Sequence, residues 1–263
     1  NDHSKGRIVK FIINRPDKLN ALNKYVTNAI KNASLKVMND ESIRVIIFSG
    51  ASPNPPQEGK RSKPNSFVAG ADISEFKDKK SEEIFEIFSD NCWEAVWRIE
   101  KPTIAMIDGF ALGGGCELAM SCDIRIASER SVFGQPEINL GLIPGGGGTQ
   151  RLTHLVGYGK SLELILSGEF INAQEAYTFG LINHIYSHDE IEEKTNELAR
   201  IIGSKSSHTL RIAKNAVRAA LNSPIDEGIQ KELRVFSDLF DTEDKEIGVN
   251  AFLEKKTPIW KGR

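Results

Sequence analysis

The stretch Pro102-Thr-Ile-Ala-Met-Ile-Asp-Gly-Phe-Ala-Leu-Gly-Gly-Gly-Cys-Glu117 decides how this chain reads. Thr103 to Ile107 is an apolar run suited to a buried strand, and Gly113 to Gly115 lead from it into a helix predicted over Cys116 to Cys122. A helix start leaves backbone N–H groups unpaired, glycine lets a ligand approach the backbone, and the helix dipole directs its positive end to the same place. The turn therefore suits an oxygen that carries negative charge. Gly109, Gly113 and Gly115 also fit a GxxxGxG dinucleotide loop, but such a loop belongs to the first βα turn of a domain, and the chain has no Tyr-x-x-x-Lys pair for hydride chemistry. Gly145-Gly-Gly-Gly-Thr-Gln-Arg151 lacks the lysine of a phosphate loop.

The same rhythm of strand, glycine turn and helix extends to both sides. Ile8 to Ile13 reads as a strand closed by Asn14-Arg15-Pro16-Asp17, and Leu22, Val26, Ala29, Ile30, Ala33 and Val37 place one apolar stripe on a helix running to about Asn39. Val45 to Phe48 and Ile124 to Ala127 are further buried strands. The pattern predicts an α/β protein and leaves the strand order open. From about Ile191 it changes to helices over Glu192 to Ile202, Thr209 to Leu221, Ile225 to Phe240 and Thr242 to Lys255. The expected organisation is a core over residues 1–195 and a helical region over 196–263. Phe236, Leu239, Phe240, Phe252 and Trp260 call for burial on the core or on another subunit. Between Ala51 and Ser66, Pro53, Pro55, Pro56 and Pro64 with Lys60, Arg61 and Lys63 predict an irregular basic surface loop.

Composition narrows the classes of function. The chain has 263 residues, 40% apolar and 27% charged, with 34 Lys+Arg against 36 Asp+Glu and a net charge of -2. This is ordinary globular usage without the global field that collects nucleic acid or anionic membrane. Cys92, Cys116 and Cys122 offer no zinc-ligand spacing and suit buried thiols in a reducing compartment. The polar start is unlike a signal peptide, and no apolar run approaches the ~18 residues of a spanning helix, so a cytoplasmic location is expected.

Two glutamates are the candidate acid and base. Glu117 falls in the first turn of the predicted helix, where the dipole favours its ionised form, and Glu137 follows a proline among apolar neighbours, where burial raises a carboxyl's pKa. On spacing alone they could equally complement a helix and close a turn. His154, His184, His188 and His208 have neither metal spacing nor a nucleophile partner and read as surface or packing residues.

Asn14-Arg-Pro-Asp-Lys-Leu-Asn-Ala-Leu22, Phe67-Val-Ala-Gly-Ala-Asp-Ile73, Ala111-Leu-Gly-Gly-Gly-Cys-Glu-Leu-Ala119, Cys122-Asp-Ile, Phe133-Gly-Gln-Pro-Glu137 and Ile143-Pro-Gly-Gly-Gly-Gly-Thr-Gln-Arg151 together resemble the enoyl-CoA hydratase (crotonase) family, from about Ile8 to Lys261. The Ala51 to Ser66 loop departs from it by its length. The resemblance implies a crotonase-like spiral of ββα repeats with a helical C-terminal trimerisation region, and hexamers built as a dimer of trimers. It implies that the N–H groups of Ala71 and Gly114 bind a thioester carbonyl, and that Glu117 and Glu137 are the pair typical of the hydratase subgroup. For CoA it points to Lys18, Leu19, Ala69, Asp72, Ile73 and Lys255. The implied activity is hydration of a short-chain trans-2-enoyl-CoA, equivalently dehydration of a 3-hydroxyacyl-CoA such as 3-hydroxybutyryl- or 3-hydroxypropionyl-CoA. No metal or redox cofactor is needed, CoA being part of the substrate, and no nucleic acid or membrane partner is expected. The rival readings are a double-bond isomerase, which needs only one of the carboxylates, and a non-enzymatic RNA-binding or scaffold member.

Overall fold

The computed structural model describes residues 6–53 and 64–263. Pro55, Pro56, Lys60, Arg61 and Lys63 lie outside the described residues, and the expectation about the basic loop lies there with them.

The chain opens with β1 (Arg7–Ile13) and α1 (Lys24–Met38), the latter capped by Asn23, whose side-chain oxygen accepts from the Val26 N–H at 3.0 Å. β2 (Ile43–Gly50), β3 (Ser66–Val68), α2 (Ser81–Ser89) and α3 (Cys92–Trp97) follow. Next come β4 (Thr103–Ile107), β5 (Phe110–Leu112), α4 (Gly114–Ser121), β6 (Ile124–Ser128), β7 (Val132–Gly134), α5 (Gly148–Val156) and α6 (Tyr158–Ser167). β8 (Phe170–Asn172), α7 (Ala173–Thr178) and β9 (His184–Tyr186) complete the sheets. The remaining helices are α8 (Ile191–Gly203), α9 (Ser207–Ala219), α10 (Ile225–Asp238) and α11 (Glu243–Leu253).

Strands alternate between two sheets. One has the order β1-β2-β4-β6-β9 and is parallel throughout; the other has the order β3-β5-β7-β8, with only the β7–β8 pair antiparallel. Each of the pairs β2–β3, β4–β5 and β6–β7 places one strand in each sheet before the chain turns into helix, which is the ββα spiral expected above. The pleat explains why the long strands read as unbroken apolar runs. In β2, Ile46 and Phe48 enter the core between the sheets with Phe67, Ala105 and Leu118, while Val45 and Ile47 face the other way and pack with Ile104, Ile126, Ile191 and Ala199 under α8.

Position 195, the expected end of the core, lies within α8, where Thr195 is fully buried. α9 docks through Lys214, which donates to the Lys101 carbonyl at 2.8 Å and pairs with Asp123 at 2.6 Å. Trp260 reaches back to donate to the Ser204 carbonyl at 2.8 Å. Phe236, Phe240 and Phe252 behave differently: they are 57%, 54% and 83% exposed, so burial on their own core, one of the two alternatives, is not what they find in the single chain. Among the described residues no helix is long and apolar enough to cross a membrane.

Asn20 locks the β1 turn to both sheets. It sits at φ 59°, a conformation asparagine tolerates, and is fully buried. Its Nδ2 donates to the carbonyls of Ala51 and Ser66 at 2.9 and 2.7 Å, and its Oδ1 accepts from the Arg15 N–H at 2.9 Å. Asn20→Ala strands these backbone groups without partners, and we expect it to lower unfolding free energy by about 3 kcal/mol, read by urea denaturation.

Candidate active site

Two backbone N–H groups from distant parts of the chain meet beside α4. Gly114 is the first residue of that helix, so its N–H has no partner within it. Ala71 forms an isolated parallel bridge with Leu22, in which the Leu22 N–H donates to Gly70 O at 2.9 Å and the Asp72 N–H donates to Leu22 O at 2.7 Å. Those bonds use the flanking residues and leave the Ala71 N–H facing away from Leu22. Among the described residues neither N–H makes a backbone hydrogen bond, and a Cβ added to Gly114 would lie 3.6 Å from the Ala71 nitrogen. The Trp93 indole N–H donates to the Gly114 carbonyl at 2.8 Å and holds the turn from below.

Glu117 and Glu137 face the same cavity, of about 760 Å³, which is also lined by Ala71, Gly114, Phe88 and Trp93. Glu117 projects from the first turn of α4 and is only 2% exposed. Its Oε1 accepts from the Gly146 and Gly148 N–H groups at 2.7 and 2.8 Å. Glu137 lies in the 3-10 turn Pro136–Leu140, half-buried, and its Oε2 is buried with no hydrogen-bond partner. Gly113, at φ 49°, lets this carboxyl approach: a Cβ there would stand 2.6 Å from Glu137 Oε1.

Burial decides the electrostatics. Loss of water raises Glu117 to about 7, the negative charge of Glu137 adds to the rise, and the two N–H donors and the Arg151 cation oppose it. Burial raises Glu137 as well. The expectation that the helix dipole holds Glu117 as an anion is thereby corrected, because desolvation outweighs the helix start. Raised carboxyls that repel one another titrate as a coupled pair. The thiols of Cys92 and Cys116 nearby are pushed up to about 12 by burial and stay neutral.

The Gly145 to Gly148 run, unassigned by its own pattern, is the holder of Glu117. An added Cβ would stand 2.5 Å from the Trp93 ring at Gly146, 2.2 Å from Arg151 Nη1 at Gly147 and 2.9 Å from Glu117 Oε1 at Gly148. Side chains there would displace the groups that surround the carboxylate. Trp93, Arg151 and these glycine N–H groups escaped the sequence reading, the only signal being the glycine run preceding an arginine at the start of a helix.

The residues expected around CoA divide. Ala69, Ala71 and Ile73 line the cavity, whereas Lys18, Leu19, Asp72 and Lys255 are not part of its wall. Leu19, at φ 52°, accepts the Ala69 N–H at 3.0 Å through its carbonyl. The Asp72 carboxylate is engaged by the Ser74 hydroxyl at 2.7 Å and by Arg15 at 3.1 Å, which together hold it below the usual carboxylate range. Lys255 follows the end of α11 at φ 56°. Among the described residues no cluster of three or more His, Cys, Asp or Glu could hold a metal ion.

Comparison with known proteins bears on this geometry. The sequence profile described as Enoyl-CoA hydratase/isomerase matches residues 3–263. The chain is 41% identical over 256 residues to a probable mitochondrial enoyl-CoA hydratase of Dictyostelium discoideum, covering 97% of this chain and 88% of that one. It is 40% identical over 254 residues to the short-chain-enoyl-CoA hydratase of Clostridium acetobutylicum, covering 96% and 93%. The crystal structure of an enoyl-CoA hydratase from Bacillus anthracis superposes with a TM-score of 0.89 at 35% identity, covering 97% and 96% of the two chains. With its paired N–H donors, its two glutamates and this likeness along nearly its whole length, the chain belongs to the enoyl-CoA hydratase/isomerase family.

Proposed function

We propose that this protein is a hydro-lyase that reversibly adds water to short-chain trans-2-enoyl-CoA thioesters to give 3-hydroxyacyl-CoA. The observation that carries the reading is the placement of a buried and a half-buried carboxyl in one cavity with two unspent backbone N–H donors. The family and the short-chain enzyme of Clostridium acetobutylicum support it.

The chemistry follows from the donors. Addition of oxygen at Cβ moves charge onto the thioester oxygen, and the Ala71 and Gly114 N–H groups stabilise the resulting enolate more than the ground state, each by about 3 kcal/mol. Glu117, ionised, accepts a proton from the water that attacks Cβ. Glu137, protonated, delivers a proton to Cα. After one turnover Glu117 carries the proton and Glu137 is ionised, and solvent exchange restores the pair. Dehydration runs the same steps backwards. A base with a pKa near neutrality combines adequate basicity with adequate ionisation at physiological pH.

In this reading CoA lies along Ala69, Ala71 and Ile73, with Lys18, Leu19, Asp72 and Lys255 at or beyond the mouth of the cavity, and no metal or redox cofactor takes part. Exposed Phe236, Phe240 and Phe252 are covered by other copies of the chain in a trimer-based hexamer, and the core and helical region divide near residue 195. A cytoplasmic enzyme free of nucleic acid and membrane is the setting.

The reading is tested by hydration rates across trans-2-enoyl-CoAs from acryloyl to long-chain esters, with the highest kcat/KM expected at crotonyl or shorter. Glu117→Gln and Glu137→Gln should each lower kcat at least about a hundredfold with little change in binding of the CoA ester, measured by steady-state kinetics and calorimetry. Because Glu117 must be ionised to act, kcat/KM for hydration should fall as pH drops through about 7. The residual activity of Glu117→Gln should lack the acid limb. Light scattering should return a multiple of three of the 29.1 kDa chain.

A further inference from the structure

The Gly146 and Gly148 N–H groups that hold Glu117 belong to a glycine run, and a run of that kind does not keep its own shape. Something outside it must fix the peptide planes. Arg151, in the first turn of α5, reaches back and donates through Nη1 to the Gly146 carbonyl at 2.7 Å. Its guanidinium lies where a Gly147 side chain would be, so the two occupy one space.

The arginine is itself clamped. Nη2 pairs with Glu94 of α3, and the guanidinium carbon stands 5.2 Å from the centre of the Trp97 ring. The same ring carries Arg218 of α9 at 3.8 Å, which pairs with Asp123 at 2.7 Å and donates to the Trp97 carbonyl. Arg151 is thus fixed by two side chains of α3, one of them braced by α9, before it touches the glycine run. We propose that Arg151 is a positioning residue of the hydration site, holding the Gly146 carbonyl so that the Gly146 and Gly148 N–H groups stay aimed at Glu117 and lending that carboxylate its positive charge. The kinetic part of this proposal rests on the function proposed above; the placement of Glu117 does not.

The charge has a defined direction of effect. The titratable groups around Glu117 are Glu137 from the turn after β7, Arg151 from α5, and the neutral thiols of Cys92 on α3 and Cys116 on α4. Around Arg151 stand Glu94 on α3, Arg218 on α9 and Asp123 before β6, and these groups line one cavity together with Arg125 on β6, His154 on α5 and Lys214 on α9. Arg151 is the positive charge that acts on Glu117 against Glu137. Removing it leaves the carboxyl harder to ionise and its donors free to turn away.

The test compares wild type, Arg151→Met, Arg151→Lys and Glu117→Gln. In the free protein, the infrared carboxyl band lost in Glu117→Gln should titrate about one pH unit higher in Arg151→Met and show a smaller rise in Arg151→Lys, which keeps the charge but not the clamp. This readout needs no turnover, so it stands even if the protein hydrates no enoyl-CoA. With crotonyl-CoA, Arg151→Met should lose about tenfold to a hundredfold in kcat with KM little changed, and its acid limb should move to higher pH. Arg151→Lys, which keeps the charge without the planar fork, should move the limb less than Arg151→Met and lose part of kcat. A folded Arg151→Met with the wild-type carboxyl titration overturns the proposal. If Arg151→Met does not fold, wild-type kcat in Arg151→Lys overturns the positioning role, since a lysine cannot reproduce the clamp. Loss of folding stability in either variant with kcat and titration both unchanged assigns Arg151 to packing alone and likewise overturns it.

Discussion

A carboxylate taken out of water must find donors or give up its charge, and the site is organised around that constraint at Glu117. The side chain is almost fully buried, with two backbone N–H groups on one oxygen and a second carboxyl facing the same cavity. The donors keep ionisation within reach, burial and Glu137 oppose it, and the balance falls at about 7. A fully solvated glutamate would be too weak a base to help water attack, and a buried one with no donors would stay protonated. The glycine run, Trp93 and Arg151 make sense as the means of holding that intermediate condition.

The spiral makes this arrangement possible. Sending alternate strands to two sheets brings the end of β3 and the start of α4 to the same place, although Ala71 and Gly114 are far apart in sequence. Both N–H groups sit where local geometry already denies them a partner, one at a helix start and one beside a parallel bridge. Donors of this kind are rigid because the backbone is rigid, so little reorganisation is needed when charge develops in front of them.

The helical region at the C-terminus is joined to the site through charge as well as packing. Lys214 and Arg218 of α9 both pair with Asp123, and Arg218 shares the Trp97 ring with Arg151. The chain of contacts from α9 to the holder of Glu117 consists of salt bridges, cation–π contacts and hydrogen bonds to the Trp97 and Gly146 carbonyls, each directional. The exposed phenylalanines, Phe236 on α10, Phe240 in the 3-10 turn Leu239–Asp241 and Phe252 on α11, take no part in these contacts.

Much of the frame was legible in the sequence, because the features that define it are local. Apolar runs marked β1, β2, β4 and β6, helical periodicity marked α1 and the last four helices, and glycines marked the turn before α4, whose start lies at Gly114 rather than Cys116. Strand order was not legible, and neither were β3, β5, β7, β8 and β9, since three-residue or similarly brief strands carry too little periodicity to stand out. The resemblance to a known family singled out Glu117, Glu137, Ala71 and Gly114 together; no spacing rule joins them. What only the tertiary structure decided is the state of the two carboxyls and the identity of their holders. Glu117 reads from sequence as a helix-start anion because the dipole is a local property, whereas its desolvation is set by Trp93, Gly146 and Gly148, which neighbour it only after folding. Local order follows from residues a few positions apart, and ionisation in a buried site follows from everything that excludes water from it.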